Sequence, residues 1–418
     1  MSFPVGLKFR SALPFYSALI LWATLWSALW LEGWHFVIAF SSMWCLIVWL
    51  DLIGGVNSTN LDTETDDAAL FWHRALTLGW VPLQVVTLFS FLYLFGTGQY
   101  DLGHQIAVFV CLGMVNGVIG INYAHELMHQ RNKWERGCAD VLLAMVMYSH
   151  FRSEHLLVHH TYVGTPRDPV SARYGEGFYS YFVRVVPQCY RSAFQAETAK
   201  LARKSLPMLH YKNPFLLYWA MQFGLLIAAY LIAGWSGIGL FLLQSIVAIY
   251  HLEVVNYVEH YGLTRKHLGN GKYEPVRPRY SWNAAHRVSN WVFINLQRHS
   301  DHHYKPARRF PLLQNYADTQ APQLPYGYPI MTVLALFPRA WRARACANGG
   351  PCIIPKSRIG PTITTQQHRC HVERPCRGPL DPINNLRVFV KQRQSLDRPR
   401  IHLHGFAHQS VIQNKQSK

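Results

Sequence analysis

Nine of the 22 histidines in this chain fall into four short blocks, and each block also holds an acidic residue. The blocks read HELMH, EHLLVHH, NYVEHYG and HSDHH, with histidines at His125, His129, His155, His159, His160, His260, His299, His302 and His303. Spacings of three and four residues place imidazoles on one face of a helix. A single histidine is more often structural, and one HELMH match has little weight alone. Three imidazoles crowded together repel one another when charged, and solvent contact gives no reason for them to cluster. A bound metal stabilises the cluster, so the pattern predicts a metal site.

The number of histidines bears on the number of metal ions. Nine ligands are too many for one ion, whereas two ions with four or five imidazoles each account for them and leave positions open for a small molecule. Neutral imidazole binds iron, zinc, copper and nickel, so ligand type does not choose the metal. The eight cysteines include no pair separated by only two residues, which argues against zinc-ribbon and iron–sulfur sites.

The elements that must position these blocks are long apolar runs. Half of the residues are hydrophobic and 15% are charged. Six runs approach the roughly 20 residues that cross a bilayer core of about 30 Å. They are residues 13–31, 35–54, 78–95, 105–123, 215–233 and 237–257. We therefore predict an all-α integral membrane protein with about six transmembrane helices and a histidine-rich di-metal site at the helix ends.

The distribution of positive charge predicts the orientation in the membrane. The stretch 125–214 carries twelve Lys or Arg, whereas the connections near Glu32, Gly98 and Gly234 carry none. By the positive-inside rule, both termini and the histidine blocks face the cytoplasm. We predict a multi-pass protein of the cell inner membrane with its site toward the cytoplasm. The acidic connection 52–73 also falls on that side, which is tolerable because acidic residues contribute little to orientation.

The end of the chain has a different composition. Residues 347–418 carry twelve Lys or Arg against Glu373, Asp381 and Asp397, which is half of the net charge of +18. This segment has no sustained apolar period, so we predict a membrane domain at 1–345 and a basic, disordered tail at 346–418. Because the tail lacks interleaved aromatic residues and a recognisable module, we expect contact with anionic membrane lipid and no nucleic acid.

The four blocks resemble those of the membrane alkane hydroxylases, relatives of membrane fatty-acid desaturases and xylene monooxygenases. The family patterns are HExxH, EHxxxHH, NYxEHYG and LQRHSxHH, and desaturases generally lack the third. The stretches GTPRDP at 164–169 and SWN at 281–283 are also similar, and the resemblance covers residues 13–341. It implies that the nine histidines ligate two iron ions, with O₂ as co-substrate. The acids beside them then become candidates to orient the ligands: Glu126, Glu154, Glu259 and Asp301.

The resemblance implies a non-haem di-iron monooxygenase that hydroxylates medium- to long-chain n-alkanes to 1-alkanols. Two electrons must come from outside, because the chain has no flavin, nicotinamide or iron–sulfur signature. The family implies rubredoxin and its NADH-dependent reductase as donors. The Arg-rich cytoplasmic face, including Arg152, Arg298, Arg308 and Arg309, could dock an acidic carrier, although the positive-inside bias explains any one of these arginines equally well.

A terminal C–H bond has no polar handle, so its oxidation needs a metal-derived oxidant and an apolar route to the site. Candidates for lining that route are Trp22, Trp44, Phe95, Met114 and Phe223, although core or lipid packing explains any one of them better. Three alternatives stay open: a membrane hydroxylase of methyl-aromatics or fatty acyl chains, a fatty-acid desaturase, and a metal transporter. The transporter is the least favoured, because its ligands would lie inside the spans.

Overall fold

A computed structural model describes residues 9–345 of the chain. The helices are α1 (Phe9–Leu29), α2 (Gly33–Ile53), α3 (Asp67–Gly96), α4 (Leu102–Met128), α5 (Lys133–Ala144), α6 (151–162), α7 (Phe178–Ala202), α8 (Pro214–His260), α9 (Arg287–Val292), α10 (His299–Tyr304), α11 (Tyr328–Ala335) and α12 (Pro338–Ala345). The strands β1 (His267–Gly269) and β2 (Lys272–Tyr273) pair antiparallel as a short hairpin. The predicted tail, 346–418, lies outside the described residues, so the division into domain and tail stays a prediction.

Five of these helices are long and apolar enough to cross a membrane: α1, α2, α3, α4 and α8. Their outer faces carry large exposed apolar side chains, among them Trp34, Leu231 and Trp235. An apolar surface on that scale is unfavourable in water and suits contact with lipid. The predicted all-α membrane fold is therefore confirmed, and the first four predicted runs overlap α1 to α4, the first two extending one or two residues beyond their helices.

The last two predicted runs lie in one element, α8, which bends sharply in its middle. Ala233 and Gly234 have non-helical dihedral angles, and Gly234 has φ 59°. A Cβ at Gly237 would lie 2.2 Å from the carbonyl oxygen of Ala229, although residues eight apart in a straight helix are separated by about 12 Å. The chain therefore bends back at Gly234, where glycine tolerates the positive φ. Six separate crossings stay a prediction.

Helix α4 lies at the centre of the bundle. Its apolar window is 72% buried, against 22–39% for the other four long helices. Gly113 and Gly117 face α8 so closely that a Cβ on either would lie within 2.7 Å of the α8 backbone. Asn116 donates a hydrogen bond of 2.9 Å to the side chain of Gln244 on α8. The close packing of α4 on α8 brings the ends of these two helices, and their histidine blocks, together.

Local sequence signals set where three of the helices begin. Asp101, Asn132 and Asn213 each accept a hydrogen bond from a backbone N–H two or three residues further on, before α4, α5 and α8 respectively. These side chains satisfy N–H groups that have no partner inside the helix. Pro214 follows Asn213 at the first helical position, where its missing N–H costs nothing.

Candidate metal centre

The four histidine blocks lie on four different elements. The first ends α4, where His125 and His129 are separated by one helical turn. The third places His260 at the last residue of α8. The fourth forms α10, a six-residue helix that begins at His299. Because α4 and α8 pack closely, these short elements converge at one end of the bundle.

The second block lies in a π-helical turn, His155–His159, within α6. In an α-helix, residues four apart share a face, and the spacing predicts that His155, His159 and His160 crowd one sector of the helix. A π turn closes between residues five apart. It therefore puts His155 and His160 on one side and turns His159 toward the other.

The structure brings all nine predicted histidines together in two groups. Each group has ligand atoms that all lie within 4.8 Å of one another. The first group consists of His125, His129, His155, His160 and His302. The second consists of His159, His260, His299 and His303. The division into five and four agrees with the predicted number of ligands per ion.

The distances between ring nitrogens test whether the groups fit metal ions. The Nε2 atoms of His125 and His160 each lie 2.9 Å from Nε2 of His155. In the other group, Nε2 of His299 lies 3.0 Å from Nε2 of His303. Ligands at right angles around one ion, with metal–nitrogen bonds of about 2.1 Å, are separated by about 3.0 Å. A neutral imidazole has one N–H, so hydrogen bonds cannot satisfy a nitrogen that faces several others, whereas a cation can.

The protonation state of the histidines also suits a metal. Burial, and then the neighbouring imidazoles, hold the pKa of His155 and His160 well below the usual value. The rings are therefore neutral at physiological pH, which is the form that binds metals. Seven of the nine side chains are buried, and His129 and His160 are half-buried. These two are the most accessible of the nine.

Among the four predicted acids, Glu259 lies beside a histidine. Its Oε2 atom is 3.3 Å from Nε2 of His299, the nitrogen that faces the second group. The carboxylate is buried and also lines the cavity described below. Glu259 thus lies on the same side of the ring as the ligand atoms.

Glu126 and Asp301 contact the segment that follows α10. Glu126 accepts hydrogen bonds of 3.1 Å from the Gln130 side chain and 3.2 Å from the backbone N–H of Phe310. Asp301 accepts from the hydroxyl of Tyr316 at 2.6 Å, and its carboxylate also pairs with an arginine. Both acids hold this segment against the helices, and their predicted role in orienting histidines stays a prediction.

Glu154 is a fully buried carboxyl group in an acidic surrounding. Neither of its oxygens has a hydrogen-bond partner among the described residues. Burial, and then the charges of Asp168 and Glu253, raise its pKa well above the usual value.

Asp168 is a functional candidate to which the sequence analysis gave no role. Its Oδ2 atom lies 3.0 Å from Nδ1 of His159, and Ser171 and the backbone N–H of Val170 donate to the same carboxylate. A carboxylate on the second ring nitrogen fixes the orientation and tautomer of a ligating histidine. Asp168 belongs to the stretch GTPRDP, which is part of the resemblance. It was missed because the candidate acids were those that lie within the histidine blocks, and Asp168 lies outside them.

An apolar cavity borders the histidines. It is lined by side chains from α2, α4, α8 and α11, including Val118, Ile121 and Val255. The lining also includes His125 and His155 of the first group, His299 of the second group, and Glu259. A hydrocarbon in this cavity would therefore contact both groups.

The structure separates the five residues suggested for the apolar route. Trp44 lines the cavity. Trp22, Phe95 and Met114 pack within the helix bundle. Phe223 is 64% exposed on α8, where it faces outward. Trp44 is therefore the member of this set that the geometry places on the route.

The arginines suggested for docking an electron carrier are held internally. Their partners are Asp140 for Arg152, the carbonyl oxygens of Thr59 and Leu313 for Arg298, Asp301 for Arg308, and both Asp67 and Glu135 for Arg309. Charges paired in this way brace the connections around the site and are poor docking groups. Cations other than these four are therefore the candidates for a docking surface.

Comparisons with known proteins identify the class and then the family. Residues 103–335 match the family model described as fatty acid desaturase, which spans all four histidine blocks and most of the cavity. The chain is thus a member of that broad class of helical membrane proteins. It is also 40% identical over 302 residues to alkane 1-monooxygenase 2 of Pseudomonas aeruginosa, covering 71% of this chain and 80% of that protein.

Two further relatives support the same placement. Alkane 1-monooxygenase 2 of Alcanivorax borkumensis is 37% identical over 299 residues, covering 70% of this chain and 77% of the relative. The xylene/toluene monooxygenase hydroxylase component of Pseudomonas putida is 28% identical over 251 residues, covering 59% of this chain and 65% of the relative. The chain belongs to the alkane 1-monooxygenase family. The resemblance noted from the histidine blocks is confirmed, and with it a multi-pass membrane monooxygenase.

Proposed function

We propose that this protein hydroxylates the terminal carbon of medium- to long-chain n-alkanes to give 1-alkanols. The observation that carries the proposal is the apolar cavity lined by histidines of both groups. Several relatives are named alkane 1-monooxygenase, and the block NYVEHYG favours a hydroxylase over a desaturase. An unfunctionalised chain binds through apolar contacts alone, which is what this lining offers.

We propose that the nine histidines hold two iron ions, one in each group, and that O₂ is the co-substrate. The donor set fits, because neutral, buried imidazoles with converging Nε2 atoms suit a divalent transition metal. Bound iron would supply the activation of O₂ that side chains cannot perform on an inert C–H bond. Asp168 would hold His159 in one tautomer, with its Nε2 directed at the second group.

The apolar side chains around the site contribute position and seclusion. Val118 and Val255, with Trp44 from α2, enclose the alkane along its length and exclude water. Holding the terminal carbon at the end of the cavity makes it the one that reacts. Residues of this kind determine which chain lengths fit, because each buried methylene contributes roughly 1–3 kcal/mol of discrimination.

We further propose the cell inner membrane as the location, with the histidine groups toward the cytoplasm. The lysines and arginines of the chain concentrate on the connections at that end, in agreement with the positive-inside rule. A rubredoxin, reduced by its NADH-dependent reductase, is the proposed electron donor. The sequence supports an external donor because it has no signature for a redox cofactor that could replace it.

The proposed function is tested by feeding n-alkanes of increasing length to whole cells that express the protein under ¹⁸O₂. We expect gas chromatography with mass detection to show 1-alkanols that contain one labelled oxygen. The variant His160→Ala, expressed to the same level, should yield none. An unlabelled alkene would indicate a desaturase, and product from p-xylene but from no alkane would indicate a methyl-aromatic hydroxylase. Either result would overturn the proposal.

A further inference from the structure

Exposed cations follow each of the four histidine blocks. Arg131 and Lys133 come shortly after His129 in the chain, Arg167 follows the second block, Lys266 follows the third and Lys305 follows the fourth. We call these five residues the cationic rim: Arg131, Lys133, Arg167, Lys266 and Lys305. All five are exposed.

The rim differs from the arginines that brace the site. Within residues 9–345, none of its members forms a salt bridge, whereas Arg152, Arg308 and Arg309 are all paired with acids. Arg167 lies 5.6 Å from the ring of Tyr162 and Lys305 lies 5.1 Å from that of Tyr304, so both retain their charge for another partner. Unpaired exposed cations attract an oppositely charged protein at longer range than paired ones do.

The rim follows, in the chain, the least buried part of the metal centre. His129 and His160 are the two half-buried ligand candidates, and their ring centroids are 4.8 Å apart. Exposed Thr161 follows His160, and its carbonyl oxygen accepts a hydrogen bond of 2.9 Å from Arg265, next to Lys266. A partner bound at the rim would therefore lie next to both rings.

One flank of this end of the molecule has the opposite charge. The connection between α2 and α3 carries exposed Asp62, Glu64, Asp66 and Asp67. It is anchored over the site by the ion pair between Asp67 and Arg309 and by a hydrogen bond of 3.1 Å from Asn60 to the carbonyl oxygen of Asn315. An acidic partner is repelled there and attracted to the rim, which gives it one preferred position.

We propose that the cationic rim is the docking surface for the acidic face of a small electron-carrier protein, with electrons entering through the half-buried rings of His129 and His160. The inference rests on the proposed function. Hydroxylation consumes O₂, two electrons and two protons, and it places one oxygen in the alkanol and the other in water. The carrier is the reductant and is oxidised by two electrons in total. Electron-transfer encounters use small, charge-complementary surfaces of this kind.

The experiment measures hydroxylation by the full chain in membrane vesicles, with saturating alkane and varied concentrations of purified rubredoxin, its reductase and NADH. In the double variants Arg131→Glu/Lys133→Glu and Arg167→Glu/Lys266→Glu, we expect KM for rubredoxin to rise at least about tenfold at low salt, with kcat changed less than about twofold. Raising the salt concentration should raise KM for rubredoxin in the wild type and change it little in the variants. Salt screens the electrostatic attraction that the substitutions have already removed.

The matched control is Arg203→Glu/Lys204→Glu, an exposed cationic pair on the connection between α7 and α8. It should keep the wild-type KM for rubredoxin. An unchanged KM in both rim variants, or an equal rise in the control, would overturn the inference. Failure of the variants to enter the membrane would also overturn it, because the rim would then serve lipid contact. If the wild type makes no alkanol with any donor, the proposed function fails instead.

Discussion

At the scale of residues, the site depends on side chains that hold histidines in one orientation. The contact between Asp168 and Nδ1 of His159 is the clearest, because the same carboxylate is fixed by Ser171 and by the backbone of Val170. A histidine held in this way loses little freedom when it binds a metal. The cost of binding is therefore lowered before the ion arrives.

Replacing Asp168 with Asn keeps the shape of the side chain and removes its charge. We expect the affinity for iron to fall about 10- to 100-fold, because His159 is no longer held in the ligating tautomer. The measurement is the metal content of the purified protein after challenge with graded concentrations of a chelator. Asp66→Asn, at an exposed carboxylate, is the control and should behave as the wild type. Equal iron retention in the two variants would show that Asp168 has no such role.

At the scale of elements, the positions of the histidines were readable from the sequence and their grouping was not. Spacing predicts that the three histidines of the second block share one sector of a helix, whereas the π turn assigns His155 and His159 to different groups. The bend of α8 at Gly234 was foreseen only as a gap between two apolar runs. Sequence patterns report which face a residue takes in a regular helix, and both features are departures from regular helix.

Helices α3 and α5 are joined by buried ion pairs. Glu135 accepts hydrogen bonds from Arg74 at 2.8 Å and from Arg309 at 2.6 Å. Although burial alone would raise the pKa of Glu135, the two guanidinium groups outweigh it and hold the pKa below the usual value. The pairs therefore stabilise the fold above the pKa of the unfolded chain, and that stability is lost as the pH falls through the folded pKa.

We expect Glu135→Gln to lower the free energy of unfolding by about 3 kcal/mol at pH 7, because it leaves buried positive charge without its partner. Between pH 7 and pH values below the usual carboxyl pKa of about 4.3, the wild type should lose more thermal stability than the variant. Thermal unfolding in detergent, followed by size-exclusion fluorescence, measures both effects. The exposed control Glu64→Gln should follow the wild type. A variant with the same pH dependence as the wild type would contradict this account.

The cavity between α2, α4 and α8 predicts a chain-length effect. Val255→Phe fills part of the lining, so we expect activity on the longest accepted alkane to fall roughly tenfold or more, with shorter alkanes affected less. Product yields across an alkane series measure the change. Val183→Phe, at a side chain on α7 that is 75% exposed, should leave the profile unchanged. A uniform loss at every length would indicate a damaged fold and not a shortened cavity.

At the scale of the whole molecule, the region that matches the family model, residues 103–335, is also the region that contains all nine histidines. The sequence predicted the helical membrane fold and the histidine positions because both depend on composition and spacing. It did not predict the internal pairing of Arg298 and Arg309, because such contacts join residues that are distant in the chain. The role of Asp168 was missed for a related reason, since its loop returns to the site through tertiary packing.

Removal of the residues after Asn348 should leave hydroxylation largely intact, since both histidine groups and the cavity lie before that point. Alkanol formation by membranes containing equal amounts of truncated and full-length chain measures the effect. Complete loss of activity in correctly inserted, truncated protein would show that the tail is part of the catalytic unit.

The most direct test of the central claim is the iron content of the purified chain. Elemental analysis by inductively coupled plasma spectrometry should find about two irons per chain, because nine imidazoles in groups of five and four supply two coordination sites. Single variants in each group, His302→Ala and His303→Ala, should each reduce the content. A chain that is fully active with one metal ion, or that retains two irons in both variants, would contradict the account.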